Sequence, residues 1–277
     1  MEPREVTEQL LSAVRTRLAA AGDPERAAGQ QRYMKSAMPY RGLRAPEVAA
    51  LCRDVFAEHL LPDRSSWERA VRTLWDEAAF REERYAAIAL TGHRAYASYQ
   101  DPESLPLYEH MIVTGAWWDF VDEIAIRRVG PILRSSPGVV APMLRGWSTD
   151  EDMWRRRTSI IAQVGSKSDT DLELLSDCLA PNLGDREFFV AKAIGWALRG
   201  VRQDGPGLGT PLSRRLRTAD VGSVPTRSRQ APVAGGQNPA PESLLHPYRR
   251  LPDRYRIATE SGAPAWTAET DRRQCWQ

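Results

Sequence analysis

The sequence predicts an all-α fold of antiparallel helix pairs stacked as a curved solenoid, followed by an irregular C-terminal tail. Three observations predict it. Apolar residues recur with a period near 3.6 as far as about residue 200, and no strand-like alternation persists. The helical segments are of similar length and their links are short, which favours antiparallel neighbours packed side by side, with an inner face able to hold a long ligand. Beyond Gly200 the apolar period stops, and nine of the 20 prolines fall in residues 201–277. Residues 1–200 therefore read as one helical-repeat domain and residues 201–277 as a disordered tail. No fixed sequence period marks the repeat.

In chain order, Leu10, Leu11, Val14 and Leu18 mark a first helix, and Pro24 to Ala37 covers a second. Pro46 opens a third with Val48, Leu51, Val55 and Phe56 on its apolar face. Trp67, Val71, Leu74 and Trp75 mark a fourth, and Tyr85, Ile88 and Ala89 begin a fifth. Leu105–Ile112, Trp117–Leu133, Val139–Trp147, Met153–Val164, Leu172–Leu179 and Phe188–Leu198 complete the series. Asp23-Pro24, Asp101-Pro102 and Ser136-Pro137 read as helix starts with proline in the first turn. Ser148-Thr149-Asp150 and Ser168-Asp169-Thr170 offer capping oxygens for the helices that follow.

Composition narrows the function classes. The chain has 277 residues, is 42% hydrophobic and carries a formal net charge of only +2. A nucleic-acid partner thus requires the basic residues to be gathered on one face. Nearly all of them are Arg, a bias that a GC-rich coding sequence produces, as does phosphate binding. Cys52, Cys178 and Cys275 form no C-x-x-C pair, which argues against a zinc site or a disulfide framework and suits a reducing cytoplasm. The charged start Met1-Glu-Pro-Arg-Glu-Val lacks an apolar signal core, and no apolar run reaches membrane-spanning length. The expectation is a cytoplasmic monomer without membrane contact, metal or cofactor.

Four stretches carry residues suited to chemistry. The first is Gln31-Arg32-Tyr33-Met34-Lys35-Ser36-Ala37-Met38-Pro39-Tyr40. The second contains Trp117-Trp118-Asp119-Phe120-Val121-Asp122. Trp118 and Asp122 are four apart and share one helix face, with Trp117, Val121 and Ile124 on a neighbouring face as core. A carboxylate beside an indole suits a developing positive charge; the plainer reading, which spacing alone favours, is that Trp118 is core and Asp122 pairs with a nearby Arg. The third holds Met153-Trp154-Arg155-Arg156-Arg157-Thr158-Ser159-Ile160, whose three arginines point in different directions. Its plainer reading is a solvated surface helix; its functional one is a phosphate grip. In the fourth, Phe188 to Arg199, Trp196 has Lys192 at i−4 and Arg199 at i+3, either a stacking patch for DNA or an ordinary helix edge.

Together, in this order, the stretches resemble the AlkD family of DNA alkylation repair proteins, built from HEAT-like repeats, over roughly residues 5–200. The matching segments are Y-M-K-x-x-M-P, W-W-D-x-V-D, M-W-x-R-R-x-x-I and K-A-I-G-W-A-L-R. The resemblance implies a glycosylase that removes N3-alkyladenine and N7-alkylguanine from alkylated double-stranded DNA, without flipping the base. It puts the catalytic carboxylate on Asp122, the tryptophans lining the site on Trp118 and Trp196, and the arginine beside them on Arg157. Tyr33, Lys35, Lys192 and Arg199 are further candidates for DNA contact. The alternatives are a non-catalytic DNA-binding protein of the same architecture and a helical scaffold for a protein partner.

One segment departs from the resemblance. The family continues with a helix resembling Y-A-K-T-D-P-x-W-V, whereas this chain runs Val201-Arg202-Gln203-Asp204-Gly205-Pro206. One codon choice for residues 201–212, read a single base later, translates as Y-A-K-T-D-P-A-W-V-R-R. The tail from about Val201 is therefore expected to be a frameshifted reading of the family's terminal helices.

Overall fold

The structure, a computed structural model, describes residues 2–204, with side chains to residue 201. The tail expected from about Val201 begins instead as helix, to Asp204, and the rest of that expectation, from residue 205 onward, lies outside the described residues. The described residues form twelve α-helices joined by short 3₁₀ and irregular links, with no strand among them. The helices are α1 (Pro3–Ala20), α2 (Pro24–Met34), α3 (Ala45–Glu58), α4 (Arg64–Asp76), α5 (Arg81–Thr91) and α6 (Leu105–Gly115). They continue as α7 (Trp118–Ile124), α8 (Gly130–Ser135), α9 (Pro137–Trp147), α10 (Met153–Ile161), α11 (Leu172–Leu179) and α12 (Phe188–Asp204). Packing follows chain order: α1 lies on α3 and α4, both of which meet α5; α5 meets α7; α6 meets α7 and α10; α10 rests on α9, α11 and α12. That succession is the stacked helical architecture the apolar period predicted.

Most of the expected starts hold. Asp23 caps α2 by accepting the Arg26 N–H at 3.1 Å, and Pro137 opens α9. Two caps fall elsewhere. Asp152, not Ser148–Asp150, caps α10, accepting from the N–H groups of Trp154 and Arg155. Asp171, not Ser168–Thr170, caps α11 in the same way. A short carboxylate beside two orphan amides satisfies both and is favoured by the helix dipole. The helix expected over Trp117–Leu133 is broken by a π turn at Ala125–Val129. Pro131 lacks the N–H that would bond the Arg127 carbonyl. The Gly130 N–H reaches back to the Ala125 carbonyl instead, and the Arg128 guanidinium takes the Arg127 oxygen at 2.8 Å. At its other end α12 passes through Gly200, because Val201 extends the apolar stripe of Val190, Ala193 and Ala197.

Two apolar clusters fill the interior. The larger runs from α1 to the start of α12 around Phe56, Trp67, Trp75, Tyr108 and Phe120. The smaller gathers Ala125, Ile160, Ile161, Leu175, Leu179, Val190, Ala193, Ile194, Ala197 and Val201. Trp67 and Trp75, the aromatic markers of the fourth helix, are fully buried.

The first turn of α5 fastens the link between α2 and α3. Glu82 is fully buried and accepts the backbone N–H groups of Arg41, Gly42 and Leu43 at 2.9 to 3.2 Å. Those amides have no helix partner, so the carboxylate satisfies what the irregular backbone leaves open. Glu83 pairs with Arg15 and Arg41, each at 3.3 Å. Gly42 has φ +93°, and a Cβ there would lie 2.0 Å from the Asp23 carbonyl oxygen, so only glycine fits. Gly42→Ala is expected to lower unfolding free energy by at least about 2 kcal/mol, and Glu82→Ala by about 3 kcal/mol by stranding buried N–H groups. Urea denaturation with an unchanged m-value checks both.

Candidate active site

Ala116 ends α6 in the left-handed region (φ 43°), and extended Trp117 turns the chain directly into α7. Trp118 opens that helix and Asp122 follows one turn later on the same face. Opposite, the Asp152 cap starts α10 and places Arg157 in its second turn. The guanidinium meets the carboxylate as a fork: Nε donates to Oδ1 and Nη2 to Oδ2, both at 2.7 Å. Nη1 donates to the Phe189 carbonyl in the first turn of α12. One arginine thus joins α7, α10 and α12. The Arg157 side chain is 6% exposed and that of Asp122 16%, so the arginine is enclosed and the aspartate keeps slightly more surface.

The pair sits at the seam of the two apolar clusters. Val121, Trp154 and Phe189 belong to the larger, and Ala125, Ile160 and Val190 to the smaller. Burial there pushes the Asp122 carboxyl above its ordinary range. The hydrogen bonds and charge of Arg157 pull it back, and the neighbouring charge of Asp119 raises it further; the net direction is up. Burial is the largest of these influences and outweighs the pull of Arg157.

The remaining candidates spread outward. Trp118 is half-buried against the larger cluster, and Trp196 half-buried against the smaller, two turns along α12 from Phe189. Val121 and Ile124 are core as expected, whereas Trp117 precedes the helix and packs edge-on against Phe189. Lys192 is exposed, with its amine 5.5 Å from the Phe188 ring, and Arg199 is exposed on the last turns of α12. Tyr33, 75% exposed, lies at the end of α2, and Lys35 is the left-handed cap of that helix (φ 48°). The structure therefore brings Asp122 and Arg157 into contact, sets Trp118 on the Asp122 face, and holds the other candidates on α2 and α12.

The three consecutive arginines do not form a solvated surface helix. Arg155 bridges Glu109 at 2.8 Å and Asp150 at 3.1 Å. Arg156 is buried against Asp185 and the carbonyls of Asp150 and Glu151. Each cation points a different way, as helix geometry requires, and each finds an acceptor from the surrounding fold.

Sequence reasoning assigned no role to a second polar cluster beside the first. Asp119 accepts from Arg81 Nη2 at 2.5 Å, from the Tyr85 hydroxyl at 2.6 Å and from the Phe120 N–H at 3.0 Å. Arg81 Nε also donates to the Tyr85 oxygen at 3.1 Å, and the Tyr40 hydroxyl lies 3.3 Å from it. Burial first, then the Asp119 charge, pushes the Tyr85 hydroxyl far up, so it remains a proton donor at neutral pH. Asp119 stood inside a conspicuous motif, but its partners lie 34 and 38 residues away, and no local pattern connects them. Among the described residues no group of three or more His, Cys, Asp and Glu is placed to hold a metal ion.

The sequence pattern of the family described as DNA alkylation repair enzyme matches residues 14–206. A solved structure described as a predicted DNA alkylation repair enzyme from Enterococcus faecalis superposes with a TM-score of 0.62 at 25% identity, covering 72% of this chain and 92% of that one. No curated protein matches the sequence significantly.

Removing one partner of the fork strands a buried charge. Arg157→Ala is expected to destabilise the protein by about 3 to 5 kcal/mol. In a double-mutant cycle with Asp122→Asn, denaturation should give a coupling of at least about 1.5 kcal/mol between the two positions.

Proposed function

The chain belongs to the family of DNA alkylation repair enzymes, and from that premise we propose that it is a DNA glycosylase hydrolysing the N-glycosidic bond of cationic alkylated purines in duplex DNA. The observation that carries this reading is the Asp122 carboxylate: gripped by Arg157 through both oxygens, pushed up by burial, and set one helical turn from the Trp118 indole.

The chemistry suits the site. Alkylation at N3 of adenine or N7 of guanine makes the base cationic. When the C1′–N bond breaks, the base keeps the bonding pair and leaves neutral, so no general acid is required. The sugar becomes oxocarbenium-like, and water then adds to C1′ with loss of a proton. A carboxylate about 4 Å from C1′ contributes at most roughly 4 kcal/mol at an intermediate effective dielectric, or about a thousandfold in rate. The Arg157 charge offsets part of that attraction while holding the carboxylate in one orientation, which preorganises it. Asp122 also orients the attacking water.

Trp118 and Trp196 supply indole faces to stack on sugar and backbone and to favour a cationic lesion. Each nitrogen of Arg157 already donates within the protein, so we assign it to positioning Asp122 rather than to gripping a phosphate. Backbone contacts fall to Tyr33, Lys35, Lys192 and Arg199. A site that reads positive charge in the stack needs no pocket for a flipped base. The enzyme acts as a cytoplasmic monomer; among the described residues no helix is long and apolar enough to cross a membrane.

Release of free methylated bases from methylated duplex DNA tests the reading. Wild-type protein is expected to release them and folded Asp122→Asn is not, while uracil stays in place. Clear binding without release by folded wild type would leave a non-catalytic DNA binder. The ionised carboxylate is the reactive form and burial raises its pKa. Excision should therefore fall on acidification with a midpoint above about 4, the ordinary carboxylate value. An acid limb at or below that value would contradict a desolvated Asp122.

A further inference from the structure

The buried cluster around Asp119 joins two regions that the glycosylase reading treats separately. On one side is the link between α2 and α3, which begins at Lys35 just beyond Tyr33. Within it, Ser36 Oγ accepts from Arg81 Nη1 at 3.4 Å, the Pro39 carbonyl accepts the Arg81 N–H at 2.9 Å, and Tyr40 meets the Tyr85 hydroxyl. On the other side is the first turn of α7, where Asp119 receives Arg81 and Tyr85 together. Arg81 also lies 4.0 Å over the Phe120 ring, so it touches α7 through two consecutive residues. The side chains of Arg81 and Asp119 are 6% and 14% exposed, which leaves little room for water to take over these bonds.

Asp119 occupies the second position of α7, between Trp118 and the turn that carries Asp122. α7 is the first stretch of a helical run interrupted by the π turn at Ala125–Val129, so the setting of its first two turns is not fixed by α8 alone. Its rotation is set by what grips it. Arg157 grips its second turn through Asp122, and the Arg81–Tyr85 pair grips its first through Asp119.

We propose that Asp119 is a positioning residue: with Arg81, Tyr85 and Tyr40 it ties the Lys35–Arg44 link to the first turn of α7, and so places Trp118 and Asp122 relative to the DNA-contact residues of the N-terminal helices. Its effect on excision rests on the glycosylase reading; the mechanical linkage does not.

Tyr85→Phe, which removes one bridging hydroxyl, and Asp119→Asn are compared with wild type and with Val55→Ala, a core truncation about three turns along α3 from the link. Hydrogen–deuterium exchange is expected to rise in both segments, 36–44 and 118–124, in each cluster variant, and to stay at wild-type levels in α1. Single-turnover excision of N7-methylguanine, well below each variant's melting point, should slow at least about tenfold, as misplacement of a reacting group does. Duplex affinity should change by less than about threefold, since the phosphate contacts remain. Val55→Ala should excise at the wild-type rate. Exchange rising in only one segment, or in neither, overturns the linkage. Excision by the cluster variants equal to that of Val55→Ala overturns the positioning role. If wild type releases no base while Asp119→Asn loosens both segments, the glycosylase reading fails and the linkage stands.

Discussion

The bidentate contact between Arg157 and Asp122 is the constraint on which the C-terminal half of the fold and the candidate chemistry both depend. Two charges have been taken out of water between apolar clusters, an arrangement that is unfavourable unless geometry compensates. Here it does: both carboxylate oxygens are used at 2.7 Å, and the third arginine nitrogen finds a backbone carbonyl. Because these acceptors come from α7 and α12, the pair also fixes how three helices meet. Lysine cannot substitute, since a single ammonium cannot reach all three acceptors in that plane.

A second set of charges does comparable work in the N-terminal half. Arg81, Glu82 and Glu83 are consecutive and all buried, and helix geometry sends them to three places. Arg81 goes to α7 and the Tyr85 hydroxyl, Glu82 to the backbone of the α2–α3 link, and Glu83 to Arg15 on α1 and Arg41. One helical turn therefore organises an irregular segment that has little secondary structure of its own. The same logic recurs at Arg155, Arg156 and Arg157. In both cases a run of charges that resembles a solvated surface is the internal framing of a stacked-helix protein.

The interruptions of the helices matter as much as the helices. Pro131 forces the π turn immediately after the Asp122 segment; Val121 and Ile124 before it and Ile132 and Leu133 after it belong to the larger cluster, and Ala125 within it to the smaller. Gly130 lets this chain approach the end of α10, where a Cβ would come within 2.4 Å of the Ala162 carbonyl. Bulges of this kind adjust where a helix face points without ending the helix, and here the adjusted face lies next to Asp122.

By itself the sequence determined the helical class, the chain order of the helices and their buried faces, because a 3.6-residue apolar period is a local property that neighbours enforce at every turn. Trp67, Trp75, Val121 and Ile124 were core by that rule and are core in the structure. Motif spacing also put Trp118 and Asp122 on one face. Tertiary structure alone decided which charges meet. The partner of Asp122 lies 35 residues away and that of Asp119 lies 38 away, and a long side chain offers no periodic sign of its destination. Tertiary structure also decided the caps at Asp152 and Asp171, where several adjacent oxygens compete and only the path of the chain selects one. Local repetition makes a helix visible in the residues; a buried ion pair is defined by two distant elements arriving at the same place.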